Sequence, residues 1–139
     1  MFEKLARRLT RRRLGDEGER LAIAYLKGLG YRVVATNLRV PLGRSTSGRA
    51  VIGEVDVVAY DGATLAFVEV KTRRASGSGR GPWEALHERK RAQVRRMAAA
   101  YLADVQDRPR ATELRFDAIG VVIDPRGRLV RLDHLEAAF

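Results

Sequence analysis

The sequence predicts an α/β fold: a mixed central sheet with helices on its faces. Three observations predict it. Two apolar runs, residues 51–60 and 64–72, flank Asp61-Gly62 and read as an antiparallel hairpin. Two segments, one opening at Asp16 and one at Pro82, carry apolar residues at helical spacing. The order is then helix, three strands, helix, strand, with a small extra strand. Strands with helices between them need a sheet covered on both sides. At 139 residues the chain suits one domain with a real core. The expected boundaries are a basic arm over 1–13 and a single domain over 14–139.

Residues 1–13 carry Phe2, Leu5, Ala6 and Leu9 at helical spacing with arginines between. They read equally as a phosphate-binding arm and as a solvated tail; a membrane-surface helix or transit-type segment ranks below both. Asp16 opens the first helix, with Glu19 placed like the acidic member of a capping box. Leu21, Ala22, Tyr25, Leu26 and Leu29 form its apolar stripe, and Gly28 and Gly30 end it. Glu19 could instead aim a carboxylate at the hairpin; on the residues alone the cap reading is preferred. Residues 31–40 read as a strand and 41–50 as an exposed loop. Gly53, inside the next strand, suggests a bulge or a close backbone approach.

Residues 73–81 form a Gly, Ser and Arg loop, either a flexible cover for a phosphate backbone or a surface linker. Pro82 suits the start of a helix running to about Ala103, with Leu86, Lys90, Val94, Met97, Ala98, Tyr101 and Leu102 on its core line. Lys90 and Gln93 are polar where the core is expected. They are candidates to reach the hairpin, although Lys90 can also snorkel to water. Trp83 reads as core or interface, and His87 and His134 as surface. Residues 104–112 form a loop, 114–123 alternate as a fourth strand, 124–127 turn, and 129–132 make a short last strand. Asp117 reads as a structural hydrogen-bonding group or a ligand.

The central hairpin carries the chemistry. With Asp61-Gly62 as a two-residue loop, Tyr60 pairs with Ala63, Glu54 faces Glu69, and Asp56 faces Phe67. An even loop is expected because it gathers Glu54, Asp56, Glu69 and Lys71 on one face and leaves Val55, Val57, Val68 and Val70 on the other. Like charges opposite each other are destabilising, and one lysine cannot neutralise three carboxylates. A hard cation such as Mg²⁺ can, since it takes one or two carboxylates plus waters and substrate phosphate. The plainer alternative is a solvated face.

Composition narrows the partner. Lys plus Arg is 27 against 17 for Asp plus Glu, a formal charge of +10. Half of that excess falls in the first thirteen residues, where six basic side chains face only Glu3. Such a balance favours an anionic partner, most often nucleic acid. There is no cysteine, hence no disulfide framework or thiolate metal site. The two histidines lie far apart and suggest no zinc centre. No run approaches the length of a membrane span, so no membrane partner and a cytoplasmic location are expected.

Asp on the second strand followed by Glu-x-Lys on the third resembles the PD-(D/E)xK, restriction-endonuclease-like αβββαβ core: Asp56, then Glu69-Val70-Lys71. More closely, the chain resembles the YraN or UPF0102 family of predicted endonucleases, related to Holliday junction resolvases. The matching stretches are Gly15-Asp16-Glu17-Gly18-Glu19, Ala24-Tyr25-Leu26, Gly30-Tyr31 and Asn37-Leu38-Arg39. They continue with Gly53-Glu54-Val55-Asp56, Phe67 to Arg73, Lys90, Arg115-Phe116-Asp117 and Ala138-Phe139. The chain departs from the pattern with Val55 in place of proline before Asp56, a longer 41–50 segment and its arginine-rich start.

The resemblance implies a nuclease-like domain that hydrolyses DNA phosphodiester bonds, at branched or other non-B structures, using Mg²⁺ or Mn²⁺. Asp56, Glu69 and the Val70 carbonyl would hold the ion, with Glu54 as an alternate ligand, and Lys71 would orient the attacking water or stabilise the charged transition state. Glu19, Lys90 and Gln93 would stand at the edge of the site, and Arg73, Arg74, Arg80, Arg11, Arg12 and Arg13 would meet DNA. A homodimer is a candidate state. The competing readings are a nucleic-acid binding module with weak or partner-dependent cleavage, and an interaction domain whose charges are surface decoration.

Overall fold

A computed structural model describes residues 2–75, 88–104, 111 and 113–138; the side chains of 2–13, 88–91 and 104 are outside that description. Helix α1 (Phe2–Gly28) leads into strands β1 (Arg32–Arg44), β2 (Ala50–Asp61) and β3 (Thr64–Arg74). Helix α2 (Glu88–Asp104), β4 (Glu113–Ile123) and β5 (Leu129–Leu135) follow. The five strands form one sheet in chain order, antiparallel throughout except for the parallel β3–β4 pair. That parallel pair requires the crossover that contains α2. This is the expected mixed α/β architecture, consistent with a restriction-endonuclease-like αβββαβ core plus one edge strand.

The sheet is covered on both faces. On one side Ala22 and Leu26 of α1 pack on Val57, Ala59, Ala66, Val68, Ile119 and Val121. On the other, Val94, Met97 and Ala98 of α2 pack on Val55, Val58, Tyr60, Leu65 and Phe67. Two glycines set how closely the helices approach. A Cβ on Gly53 would lie 2.4 Å from the Met97 side chain, so the sequence signal there marks a close approach of β2 to α2. A Cβ on Gly18 would lie 1.7 Å from Thr72 Oγ1, so α1 rests directly on β3 at that point.

Several expectations are corrected. Helix α1 is continuous from Phe2, so Asp16 lies within it rather than capping it. The 41–50 segment is mostly strand: β1 runs to Arg44, β2 starts at Ala50, and Ser45 N–H donates to Arg49 O to close the turn. Pro41 is tolerated because β1 is an edge strand, where a missing N–H costs no ladder bond. The last strand extends to Leu135. The expected helix start at Pro82, together with Arg80, Trp83, His87 and most of the 104–112 loop, lies outside the described residues.

His134 is not a surface residue; its side chain is 6% exposed. It belongs to a buried polar network centred on Asp117, which is fully buried on β4. Asp117 accepts two hydrogen bonds from Arg115 (2.8 and 3.0 Å), contacts His134 Nε2 at 2.9 Å and accepts the Ala137 N–H at 3.1 Å. Arg115 also donates to Asp61 and to the Tyr31 hydroxyl, and Tyr25 reaches His134 Nδ1. Burial pulls the Asp117 pKa up, but the bonds from His134, Arg115 and Ala137 outweigh it and hold the carboxyl below its ordinary value. Burial pushes the Tyr31 hydroxyl up to about 12 against the opposing Arg115 charge. The network ties β4, the β2–β3 turn, the end of α1 and the C-terminal residues together.

Three outcomes follow from this packing. Asp117→Ala leaves Arg115 without its buried partner and should destabilise the fold by about 3–5 kcal/mol in urea unfolding, with Asp117→Asn intermediate. Because the Asp117 pKa is lowered on folding, its contribution is present above the unfolded carboxyl value and is lost as pH falls through the folded one. The wild type should therefore lose more stability than Asp117→Asn on acidification. Gly18→Ala forces α1 off Thr72 and should cost about 1–3 kcal/mol by the same assay.

Candidate active site at the parting of two strands

The β2–β3 hairpin turns through Gly62 and Ala63, with Asp61 paired to Thr64 and Tyr60 to Leu65. The loop is even, as expected, but lies one residue later than Asp61-Gly62. The ladder runs only to Val57 and Val68. Beyond that pair the strands part, and continuing the register would set Asp56 opposite Glu69 and Glu54 opposite Lys71. In place of a ladder bond, the Val70 N–H donates to Asp56 Oδ2 at 2.7 Å. A backbone donor at a half-buried position needs an acceptor, and here a carboxylate supplies a charge-assisted one. The N–H and C=O of a strand residue point to the same edge, so the Val70 carbonyl is directed toward the same gap.

The parting coincides with an irregularity on the other side of β2. The β1–β2 ladder pairs Thr36 with Val57 and Leu38 with Val55, and passes over Asn37 and Asp56 between them. Asn37 has φ +50°, a left-handed conformation that Asn tolerates better than most residues. Both strands exchange faces at this step. Val57 packs under α1 whereas Val55 packs under α2.

That face exchange corrects the expected segregation of charge. Glu54 and Asp56 line a pocket of about 470 Å³ on the α1 side, together with Asp16, Glu19, Asn37, Val70 and Thr72. Glu69 and Lys71 do not line it. On β3, Val68 and Val70 belong to the α1 side and Phe67 to the α2 side, so alternation sends Glu69 and Lys71 away from α1. Glu69 is buried, at 8% exposure, and Lys71 is exposed.

Glu19 is the residue whose part the sequence left open. Located inside a continuous helix, it has no terminus to cap. The close seat of Gly18 on Thr72 brings the next residue over the gap, where Glu19 hydrogen-bonds to Asp56 and Asn37. Its pKa is raised, first by burial and then by the Asp56 charge, with the Asn37 hydrogen bond opposing. Two carboxyl groups thus meet at the gap. Among the described residues, no three acidic or histidine side chains converge as a closed ion cage.

The other predicted residues are dispersed. Gln93 is half-buried on α2 and does not line the pocket. Lys90 starts α2, and Arg11, Arg12 and Arg13 lie along α1, but their side chains fall outside the described residues. Arg73 is half-buried at the end of β3, and Arg74 is exposed and lines a separate cleft. Among the described residues no helix is long and apolar enough to cross a membrane.

Comparison with known proteins places the chain. Residues 18–121 match the model of UPF0102, an uncharacterised protein family. A UPF0102 protein from Nocardia farcinica is 42% identical over 135 residues, covering 97% of this chain and 95% of its own. One from Chlorobaculum tepidum is 41% identical over 130 residues, 91% of each chain. A relative from Mycobacterium tuberculosis is 42% identical over 132 residues, covering 92% and 93%. The family match spans the C-terminal part of α1, the parted hairpin, α2 and most of β4, and on this ground the chain belongs to the UPF0102 family.

Proposed function

We propose that the protein is a metal-dependent nuclease that hydrolyses DNA phosphodiester bonds at the gap between β2 and β3. The observation that carries the reading is the Val70 N–H on Asp56, which gathers a carboxylate and a backbone carbonyl at one opening in the sheet. The donor set fits a hard divalent cation: carboxylate and carbonyl oxygens, with Glu19 and Asp56 in like-charge contact. Mg²⁺ keeps several waters and takes only one or two carboxylates, so Asp56 with the Val70 carbonyl is a sufficient set of protein donors. In this reading Asp56 and the Val70 carbonyl would hold Mg²⁺ or Mn²⁺, with Glu54, which lines the same pocket, as an alternate ligand; Glu69 lies on the other face of β3 and is not among them.

A bound divalent ion would supply Lewis acidity to the scissile phosphate and to the attacking water. The chain's own residues do the rest. Glu19, set against Asp56 at the mouth of the gap, would orient a water or a hydroxyl of the substrate there. Asn37 fixes the Glu19 carboxyl. The exposed Lys71 ammonium offsets charge on the phosphate oxygens. Water adds to phosphorus, one P–O bond breaks, and the products are a phosphomonoester end and a hydroxyl end.

A second reading is a nucleic-acid binding module with weak or partner-dependent cleavage. It is favoured by the absence of Glu69 and Lys71 from the acidic pocket. Cleavage of end-labelled duplex, single-stranded, flapped and four-way DNA with Mg²⁺, Mn²⁺ or chelator separates the two. The nuclease reading predicts metal-dependent product that falls about 100-fold or more in Asp56→Asn and Lys71→Ala. Binding retained in Lys71→Ala, with no product from wild type, selects the binding module.

The Glu19 contact gives an independent outcome. A carboxyl whose pKa is raised on folding costs stability as pH rises through that window. Glu19→Gln should therefore raise the melting temperature at neutral pH in chelator, and the gain should shrink on acidification. Added Mg²⁺ should stabilise wild type by mass action and Asp56→Asn much less. Equal stabilisation of both by Mg²⁺ would count against the ion at Asp56.

A further inference from the structure

We propose that the cleft between α1 and the β4–β5 turn carries the substrate strand onward from the acidic pocket, with Arg74 and Arg126 gripping its phosphates. This rests on the nuclease reading above and names the path that the DNA takes. The cleft measures about 700 Å³. It shares Leu14 and Asp16 with the acidic pocket, so the two are contiguous along the flank of α1. A ligand that fills both must be extended.

The charges in the cleft are equal in number but not in availability. Glu17 is neutralised by Arg20 on the same helix, one turn away. Asp124 accepts the N–H groups of Arg126 and Arg128, both at 2.9 Å, and pairs with the Arg128 guanidinium at 3.2 Å. Among the described residues neither Arg74 nor Arg126 makes a side-chain hydrogen bond or ion pair. Two guanidinium groups thus remain for an anion, opposed only by Asp16 at the border with the acidic pocket.

Arg74 ends β3, three residues after Lys71, and is paired in register with Ile123. Arg126 sits in a turn held by the Asp124 carboxylate. Leu14 and Pro125 line the same cleft and provide an apolar surface against which sugar and base can lie. Guanidinium groups beside such a surface match a polyanion with apolar faces, and Arg binds phosphate oxygens through a planar fork. An isolated phosphate would use neither the apolar surface nor the continuity with the acidic pocket.

The test is fluorescence anisotropy with labelled single-stranded DNA of about 4 and about 16 nucleotides, in chelator, across a salt series. Wild type is compared with Arg74→Ala, Arg126→Ala, the charge-reversed Arg126→Glu, and Arg131→Ala as a control on β5. All three side chains are exposed, and melting temperatures check folding. Each of the first two substitutions should weaken the longer strand several-fold and reduce its salt slope by about 0.7. Arg126→Glu should weaken it further, and Arg131→Ala should leave it unchanged. Wild-type binding with Arg74 and Arg126 variants indistinguishable from it overturns the path and leaves the nuclease reading standing. An equal loss for the shorter strand makes the cleft a small-anion site and also overturns the path. Arginine-dependent binding without metal-dependent cleavage overturns the nuclease reading instead. No binding by wild type overturns both.

Discussion

The hydrogen bond from the Val70 amide to the Asp56 carboxylate sets the geometry on which the rest depends. It replaces the ladder that β2 and β3 form from Val57 and Val68 toward the turn. Where a side chain substitutes for a main-chain acceptor, the strands need not stay paired, and the sheet opens without leaving that amide unsatisfied. The left-handed Asn37 lies on the opposite neighbour of Asp56 and exchanges the faces of β1 and β2 at the same level. A single step in the sheet therefore creates an opening, lines it with acidic groups, and keeps apolar residues beneath each helix.

Placement of α1 completes the arrangement. Gly18 lets the helix touch Thr72, and the next residue, Glu19, comes to rest against Asp56. On the other side of β3, where Asp117 of β4 pairs in register with Val68, the sheet is held by a different device. Asp117 is surrounded by Arg115, His134 and the Ala137 amide, and this hub anchors the C-terminal residues and the end of α1 near Tyr31. A buried carboxylate is costly unless fully satisfied; Asp117 has four hydrogen bonds. The fold thus has a satisfied acidic centre that rigidifies one region and a like-charged one that is open to solvent and to a ligand.

Much of this was legible in the sequence. Element order, the sheet class and the even hairpin loop follow from alternation, helical stripes and the turn residues. Gly53 announced its contact with Met97 because a glycine inside an apolar strand has few other uses. The errors have a common origin in interactions that local patterns do not encode. Face assignment assumed a regular strand, whereas Asn37 and Asp56 reverse the pleat, and only the left-handed tolerance of Asn hinted at it. Glu19 resembled a cap because Asp16 looked like a helix start; the upstream residues continue the helix, which frees Glu19 for a contact made across the sheet. His134 looked exposed because it lies in a polar strand, and its partner Asp117 is seventeen residues away in sequence.

The central claim is that the gap at Asp56 is a cation site serving hydrolysis. The most direct measurement is anomalous scattering from crystals grown with Mn²⁺ and a DNA oligonucleotide. The account predicts an ion on the Asp56 carboxylate and the Val70 carbonyl, with a DNA phosphate beside it. Ordered DNA with no ion at Asp56, and the Glu19–Asp56 contact intact, would contradict it.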